Sequence, residues 1–509
     1  MSPSPSSEDA ESLLPHQAAA NTGSAVALTA LYCSHGLSAW GQRMWEFDVG
    51  LVLLQLQPGS LRLVSIFGLA DGGLQGLLGG AVGAYIDRRP RLNAARNMYL
   101  LQNVAVGLSA VAAWLALGLQ QGSQSALLFW SCVILLIALG SISSLGALGA
   151  TVSVEKEWTK ALCQGDSKRL SQVNAGMRRI DLSCSIAAPI AAGFLMTMAS
   201  TRAAVMVISL WNAAACLPEC LLLGHALKHS AALRAPKEHQ KELELQALGV
   251  FSAGYTNPAA AAAAAAAGLA NHPPTHSMGS HLLSAARAWL QSLWGSWRAY
   301  WTQPTFAAAI ALALLYLTVL SLGLLMTAYI KDQGLTEAEL AVERGLGALT
   351  GILATFTFPP MSSRLGLDRS GLIGVWAQLA VLFVTVMPAF GPASWPLHAG
   401  LGRARLLLAG LVLSRWGLWS FDLAVTQMMQ ERIACSQLGA VSGVQSALQS
   451  LLQSLSYIPT LVVSELNSFK WLMLASLGTV LMAALTYSIA MYMAASNGPE
   501  QGSGGDDAG

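Results

Sequence analysis

Residues 40–50, WGQRMWEFDVG, place polar and charged side chains in the middle of an otherwise apolar segment. His35, Gln42 and Glu46 are spaced by seven and four residues, so on a helix they share one face. An imidazole, an amide and a carboxylate offer nitrogen and oxygen ligands that suit borderline divalent metals. Polar groups in membranes also form hydrogen bonds between helices without binding any ligand. The spacing therefore predicts either a metal site or polar helix packing.

Other polar side chains lie at similar depth in apolar segments, where an ionised group costs about 2.5–3.5 kcal/mol. Asp48 points away from the face shared by Gln42 and Glu46, and Asp71 lies among the glycines of FGLADGGLQGLLGG. At that cost, such groups are expected to face a wet cavity or a partner on another helix. The candidate metal-site residues are His35, Gln42, Glu46, Asp48, Asp71 and Asn212.

The composition that surrounds these residues is typical of a membrane protein. Of 509 residues, 54% are hydrophobic and 11% are charged, whereas soluble domains have about 25% charged residues. The net charge is only +2, and no basic tract interleaved with aromatics suggests a nucleic-acid partner. The seven cysteines are scattered without a CxxC pair, so neither a disulfide framework nor a zinc site is expected. No nucleophile–base set or HExxH motif suggests an enzyme.

Hydropathy windows of about 19 residues predict an all-α polytopic membrane protein. The expected N-lobe, residues 24–228, contains spans near 25–56, 61–86, 98–119, 125–150, 171–198 and 202–227. The expected C-lobe, residues 304–495, contains spans near 305–330, 340–363, 370–390, 401–430, 439–464 and 470–494. About twelve helices in two groups of six indicate two pseudo-repeated bundles.

The segments outside the spans have their own patterns. We predict disordered, polar ends at residues 1–23 and 496–509, and a low-complexity cytosolic linker at 229–280. Residues 281–303 carry tryptophans at near-helical spacing, which indicates an amphipathic helix at the membrane interface. The loops DRRPRLNAAR and EKEWTKALCQGDSKRL are basic, whereas those after the first and third spans carry no basic residue. The positive-inside rule therefore predicts cytosolic basic loops, linker and termini.

The string GAYIDRRPRL, at the end of the second span, resembles the cytosolic loop signature of the major facilitator superfamily. Longer strings resemble the ferroportins, the iron(II) exporters of solute carrier family 40. They are LSAWGQRMWEFDVGL, YIDRRPRLNAARNMYLLQNVAV, NAGMRRIDLSCSIAAPIAAG, WTQPTFAAAIALALLYLTVL and RWGLWSFDLAVTQMMQE. The resemblance implies a major-facilitator-like fold with two six-helix lobes. It also implies alternating access and efflux of ferrous iron or of cobalt, nickel or zinc.

The resemblance also implies roles for particular residues. The family's N-lobe metal site uses an Asp and, one turn later, a His or Glu, and these positions match Gln42 and Glu46. The acids at positions 46 and 71 resemble those of the plant-type members of the family, which suggests a plant or algal type. Because Gln42 lacks the family's charged ligand, Asp48 or Asp71 is the candidate to supply that charge. Asn212 matches the family's amide in the sixth span.

Two further sets follow from the resemblance. The expected cytosolic gate consists of Asp87, Arg88, Glu157, Asn174, Arg178, Asp181 and Asp422. The C-lobe positions where vertebrate members carry Cys and His match Leu324 and Thr486, which are poor iron ligands. A second metal site is therefore doubtful, and control by the peptide hormone hepcidin, which anchors on that Cys, is not expected.

The sequence thus predicts a monomeric metal exporter of the plasma or vacuolar membrane, with metal as cargo and no resident cofactor. Exchange against protons belongs to this prediction, because metal binding to a carboxylate competes with protonation. Two alternatives stay open at this point. One is a major-facilitator carrier of an organic cation that uses Glu46 and Asp48 as counter-ions; the other is a membrane receptor or scaffold that transports nothing.

Overall fold

The computed structural model describes residues 7–58, 62–120, 126–237, 278–321, 326, 333, 337–390, 400–456 and 469–496. Most of the predicted linker, residues 1–6 and 497–509, and Leu324 lie outside these described residues. Residues 7–23, which we expected to be disordered, are instead the first part of a helix. Within them the secondary structure is helical throughout. This agrees with the all-α class expected from the periodicity and hydropathy of the sequence.

The N-lobe is built from long helices joined by short turns. They are α1 (Ser7–Leu56), α2 (Arg62–Arg88), α3 (Arg91–Gln120), α4 (Ala126–Ala150), α5 (Thr159–Cys163), α6 (Ser167–Met198), α7 (Thr201–His229) and the short α8 (Ala231–Arg234). A π-helical segment, Thr151–Trp158, joins α4 to α5 without a break. The tight turn that follows has Gln164 at φ 48° and Gly165 at φ 85°. The stretch EKEWTKALC is therefore helix, although its charges led us to expect a loop.

The C-lobe repeats the helical plan. Its helices are α9 (Met278–Trp301), α10 (Phe306–Leu314), α11 (Glu337–Leu365), α12 (Leu367–Val386), α13 (Gly400–Arg432), α14 (Leu438–Leu455) and α15 (Phe469–Ser496). Each lobe has its own apolar core. Trp45 and Trp158 are fully buried on the N-lobe side, and Phe421 and Tyr487 pack edge to face in the C-lobe.

Eight helices of the described residues are long and apolar enough to cross a membrane. The other four predicted spans correspond to α1, α10, α11 and α14. The span predicted near 305–330 is only partly confirmed, because α10 ends at Leu314 and turns and bends follow from Leu315 to Ser321. Of these, α1 carries three charged residues between positions 43 and 48, which lowers its mean hydropathy. Large apolar side chains cover the outer faces of the bundle, such as Leu127, which is 81% exposed. An apolar exterior of this kind is what a helix bundle presents to lipid.

The two lobes meet along a seam between α2 and α14, where glycines let the two backbones approach closely. A Cβ atom built on Gly79 would lie 2.7 Å from the carbonyl oxygen of Gly443. A Cβ on Gly83 would meet the carbonyl of Gly439 in the same way. A second inter-lobe contact joins α6 to α11. Gly79 and Gly83 of α2 therefore serve inter-lobe packing.

Candidate functional site

A cavity of about 450 Å³ lies between the two lobes, lined mainly by α1, α2, α4 and the π-helical segment on one side and by α13 and α14 on the other, with two residues from α6. Its acidic side chains are Glu46, Asp71, Glu155, Asp181 and Asp422. Its basic side chains are Arg43, Lys156 and Arg178, and His35 adds an imidazole. Because acids outnumber permanently basic groups, the cavity favours cations.

The wall contributed by α1 carries the polar stripe identified in the sequence. His35, Gln42 and Glu46 all line the cavity, as their spacing predicts for one helix face. The Gln42 amide Nε2 donates to Glu46 Oε1 at 3.0 Å. Gln42 Oε1 and His35 Nε2 are buried without a hydrogen-bond partner. Unpartnered buried polar atoms are unfavourable unless water or cargo satisfies them, so this wall has free ligand atoms.

The opposite side of the cavity brings Asp71 towards the C-lobe. Gln75, one turn further along α2, donates from Nε2 to Asp71 Oδ2 at 2.9 Å. Ser450 of α14 donates to Gln75 Oε1 at 2.9 Å. Asp71 Oδ1 is buried and has no hydrogen-bond partner. Asp71 thus offers one free oxygen to the cavity while its other oxygen is tied, through Gln75, to the other lobe.

Two residues of the predicted metal set lie elsewhere. Asp48 is fully buried, and neither of its oxygens has a hydrogen-bond partner. It does not line the cavity, because it lies on a different face of α1 from Glu46. Asn212 donates to the carbonyl of Ile208 at 2.9 Å and packs against α1 at Gly41. The structure therefore gives no support for Asp48 or Asn212 as cargo ligands in this conformation.

A chain of alternating charges leads from the α1 wall to the C-lobe. Arg43 donates to Glu46 Oε2 and to Asp181 Oδ1, both at 2.8 Å. Asp181 lies 3.5 Å from Arg178, and Arg178 donates to Asp422 Oδ2 of α13 at 2.7 Å. Arg178 and Asp422 are mostly buried, with 18% and 6% of their side chains exposed. Five consecutive charges thus join the cavity carboxylate Glu46 to an ion pair that crosses between lobes.

Further contacts close the bundle at the end that carries the basic loops. Both Asp87 oxygens accept backbone N–H groups at the start of α14, from Gly439 at 2.8 Å and Ala440 at 2.7 Å. A carboxylate at a helix N-terminus is favoured by the unsatisfied N–H groups and the helix dipole. Asn174 donates to Gln430 of α13. These contacts join the two lobes on one side of the cavity.

The gate expected from the sequence needs one correction. Arg88 is exposed at the end of α2, and no ion pair of Arg88 occurs among the described residues. Instead, Arg91, three residues later, forms an ion pair with Glu157. The distance from Arg91 Nε to Glu157 Oε1 is 3.2 Å, and both side chains are buried. The string DRRPR offers several arginines, and the helix break at Pro90 places Arg88 at the end of α2 and Arg91 at the start of α3.

Sequence reasoning missed Glu155 and Lys156. Glu155 Oε1 lies 4.0 Å from His35 Nδ1, and Lys156 Nζ donates to Thr426 of α13 at 3.1 Å. Both project from the π-helical segment, a geometry that is frequent at functional sites. The sequence feature that could have identified them is VEKEW, residues 154–158, which directly follows an apolar span and has an acid on either side of a lysine.

The part of the C-lobe wall formed by α14 carries uncharged side chains that can form hydrogen bonds. Its cavity-lining side chains follow two four-residue spacings, Gln445, Gln449 and Gln453 beside Ser442, Ser446 and Ser450. Thr486 of α15 is half-buried and does not line this cavity. In the described residues no group of three or more His, Cys, Asp or Glu side chains is arranged to hold a metal. A bound cation would therefore also need amide oxygens or water as ligands.

Comparison with known proteins matches this architecture. The sequence pattern of the Ferroportin1 family matches residues 25–480. Solute carrier family 40 member 1 of Oryza sativa subsp. japonica is 34% identical over 474 residues, which cover 92% of this chain and 91% of that protein. The crystal structure of a bacterial homologue of the iron transporter ferroportin in an outward-facing state superposes with a TM-score of 0.72. It is 25% identical and covers 92% of this chain and 99% of that chain.

The same fold extends to more distant transporters. The proton:xylose symporter XylE of the major facilitator superfamily is 13% identical, covers 94% of this chain and 97% of that chain, and superposes with a TM-score of 0.59. The fold is therefore major-facilitator-like. With a family match over most of its length and a curated relative above 30% identity, the chain belongs to the ferroportin family of solute carriers.

Proposed function

We propose that this protein is a secondary transporter that exports ferrous iron from the cytosol by alternating access. Family membership supports a transporter, and the similar bacterial structure is described as a homologue of an iron transporter. The observation that carries the proposal is the cation-favouring cavity between the lobes, whose carboxylate Glu46 begins a chain of charges that reaches the other lobe. Cobalt, nickel and zinc ions belong to the same proposal.

Cargo binding would draw on the atoms that face the cavity. Glu46 supplies a carboxylate, Gln42 an amide oxygen, and His35 an unpartnered ring nitrogen. This mixture of nitrogen and oxygen ligands suits ferrous and cobaltous ions better than the all-oxygen shells of calcium or magnesium. Asp71 adds an acid on the second helix. Water would complete the coordination, since the protein groups alone are too few.

Binding would be coupled to movement of the lobes through Arg43. A divalent cation at Glu46 competes with the Arg43 guanidinium for the same carboxylate. Release of Arg43 weakens its other contact with Asp181, and Asp181 in turn helps to hold Arg178 against Asp422. A cargo can shift a conformational equilibrium only through contacts that differ between the two states. This charge chain provides such a difference.

The same contacts support an assignment of the two ends of the bundle to the two sides of the membrane. The closed contacts of Asp87, Asn174 and Arg178 lie at the end of the bundle with the basic loops, and the positive-inside rule assigns that end to the cytosol. The conformation is then closed towards the cytosol, in agreement with its similarity to an outward-facing homologue. In this orientation the cavity releases cargo away from the cytosol. Return of the empty carrier with protons on the cavity carboxylates would complete an exchange cycle.

A second candidate function rests on the size of the cavity. A volume of about 450 Å³ exceeds what a single hydrated metal ion needs and falls in the range of small-molecule sites. A carrier of an organic cation, with Glu46 and Asp71 as counter-ions, would use the same acidic walls. Competition distinguishes the two: Co(II) displaces cargo from a metal site, whereas an organic-cation site is indifferent to it.

The decisive experiment is Co(II) uptake by proteoliposomes that contain purified protein. Glu46→Gln removes the charge of the cavity carboxylate. Asp48→Asn is its control on the same helix, because Asp48 is an acid two residues away that is fully buried and does not line the cavity. We expect Glu46→Gln to lose most uptake, and Asp48→Asn to retain it. Equal uptake by wild type and Glu46→Gln would remove Glu46 from the cargo site. Absence of uptake by all three, with or without a proton gradient, would contradict metal transport.

A further inference from the structure

The residues that immediately follow α7 are packed against the N-lobe. We name residues 230–237 the anchor segment; the sequence analysis assigned them to the low-complexity cytosolic linker. Ser230 caps the short α8 by accepting the N–H of Leu233, whose side chain is 2% exposed. Arg91 Nη1 donates to the carbonyl of Ala235 at 2.6 Å. The anchor segment is therefore held both by apolar burial and by the buried guanidinium of Arg91.

Lys237, at the end of the anchor segment, reaches into the same site. Its Nζ lies 2.8 Å from Glu157 Oε1 and donates to the carbonyl of Ile86 at 2.7 Å. Ile86 belongs to the last turn of α2, where unsatisfied carbonyls favour a cation. Only 18% of the Lys237 side chain is exposed, against 3% for Glu157. These two contacts fix the position of Lys237, so it differs from a lysine that is solvated in a linker.

The charges at this site balance only when Lys237 is counted. Asp87 and Glu157 are the acids, and Asp87 lies within electrostatic range of both Glu157 and Lys237. Arg91 is the only other cation in contact with Glu157 among the described side chains. Without Lys237, two carboxylates would share one guanidinium in a poorly solvated place, and like charges there repel strongly.

That balance matters because Asp87 holds the other lobe. Its carboxylate accepts the N–H groups of Gly439 and Ala440 at the start of α14. Any increase in the local negative potential favours a neutral Asp87, and a neutral carboxyl is a weaker acceptor than a carboxylate. The charge of Lys237 therefore acts on the inter-lobe contact without touching α14.

We propose that Lys237 is a positioning residue of the gate, which stabilises the lobe-closed conformation by neutralising the Asp87–Glu157 pair and fixing the end of α2. Through it, the chain that enters the linker is mechanically and electrostatically joined to the gate. The proposal deepens the proposed transport cycle by naming a control element of its closed state. It concerns the equilibrium between closed and open gates and does not depend on which cargo occupies the cavity.

Amide hydrogen exchange of the full-length protein in lipid nanodiscs, followed by mass spectrometry, tests this inference. The peptide that contains Gly439 and Ala440 reports on the contact, because those two amides exchange when Asp87 releases them. We expect Lys237→Gln to speed their exchange about tenfold, the effect of losing a hydrogen bond to a charged group. Lys237→Arg should restore protection. Lys228→Gln, at an exposed lysine in the last turn of α7, is the control and should change nothing.

A second peptide separates a gate effect from general unfolding. Exchange in α12 (Leu367–Val386), inside the C-lobe core, should be the same in wild type and Lys237→Gln. Unchanged protection of Gly439 and Ala440 in Lys237→Gln would overturn the proposal, as would failure of Lys237→Arg to restore it. Neither result would bear on metal binding, because the cavity substitution Glu46→Gln tests that separately.

Discussion

The α2–α14 seam makes a sharp prediction about a single methyl group. In Gly79→Ala the added Cβ would lie 2.7 Å from the carbonyl oxygen of Gly443 and 2.9 Å from the Cβ of Ala447. Ordinary contacts are about 3.3–3.6 Å for carbon to oxygen and about 3.5–4.0 Å between carbons. The helices must therefore separate by roughly half an ångström to one ångström. Both neighbours are backbone or Cβ atoms, so no flexible side chain can move aside.

The magnitude follows from the cost of overpacking. Inserting a methyl group into a well-packed contact typically costs about 1–3 kcal/mol, and here the cost falls only on the conformation in which the lobes are closed. The ratio of closed to open molecules should fall by about 5- to 150-fold. Replacement of glycine by alanine also favours a helix by about 1 kcal/mol. That gain is equal in both conformations, so it raises overall stability without opposing the shift.

Gly73→Ala is the matched control on the same helix. A Cβ at Gly73 meets nothing within 4 Å, so this variant gains the helix preference without the clash. Amide exchange at Gly439 and Ala440 should rise in Gly79→Ala and stay unchanged in Gly73→Ala, and Co(II) uptake should fall only in the former. If the two variants behave alike, the close packing of this seam does not govern lobe closure, and the reasoning from glycine contacts fails.

Three further predictions address the charges and hydrogen bonds between the lobes. Arg178→Ala and Asp422→Ala, measured singly and together by thermal unfolding in detergent, should show a coupling energy of about 1–3 kcal/mol; additive effects would deny the pair. Ser450→Ala removes the hydroxyl that donates to Gln75, and it should speed exchange in the middle of α14 without changing Co(II) affinity. Arg43→Gln should bind Co(II) more tightly yet transport it more slowly, since it frees the cavity carboxylate but breaks the charge chain; looser binding would contradict that competition.

Much of the fold could be predicted because it depends on local pattern. Eight of the twelve predicted spans correspond to described helices that are long and apolar enough to cross a membrane, since each transmembrane segment must satisfy its own backbone hydrogen bonds. Periodicity places His35, Gln42 and Glu46 on one face of α1, and all three line the cavity. Such arguments depend on neighbours three, four or seven positions away, and these relations are the same in every helix.

The rest depended on which helices meet, and local pattern does not specify that. Asp48 and Glu46 are both acids of α1 at membrane depth, yet one lies in the packed core and the other on the cavity wall. The charged residues around Glu155 led us to predict a loop. The stretch is in fact helical, and its charges line a polar cavity. Lys237 gave no signal at all, because its meaning comes from the carboxylate of Glu157, which is 80 positions away in the chain.

The ion pairs of this cavity and the glycine packing beside it have different roles in lobe closure. A buried ion pair adds little net stability, because desolvation offsets most of its attraction. The pairs between Arg43 and Asp181 and between Arg178 and Asp422 are therefore better suited to being broken and reformed than to holding the fold together. Glycine packing along α2 and α14 supplies a non-polar contact that does not depend on cargo. A carrier needs both, since the packing makes closure favourable while the ion pairs make it sensitive to a divalent cation at Glu46.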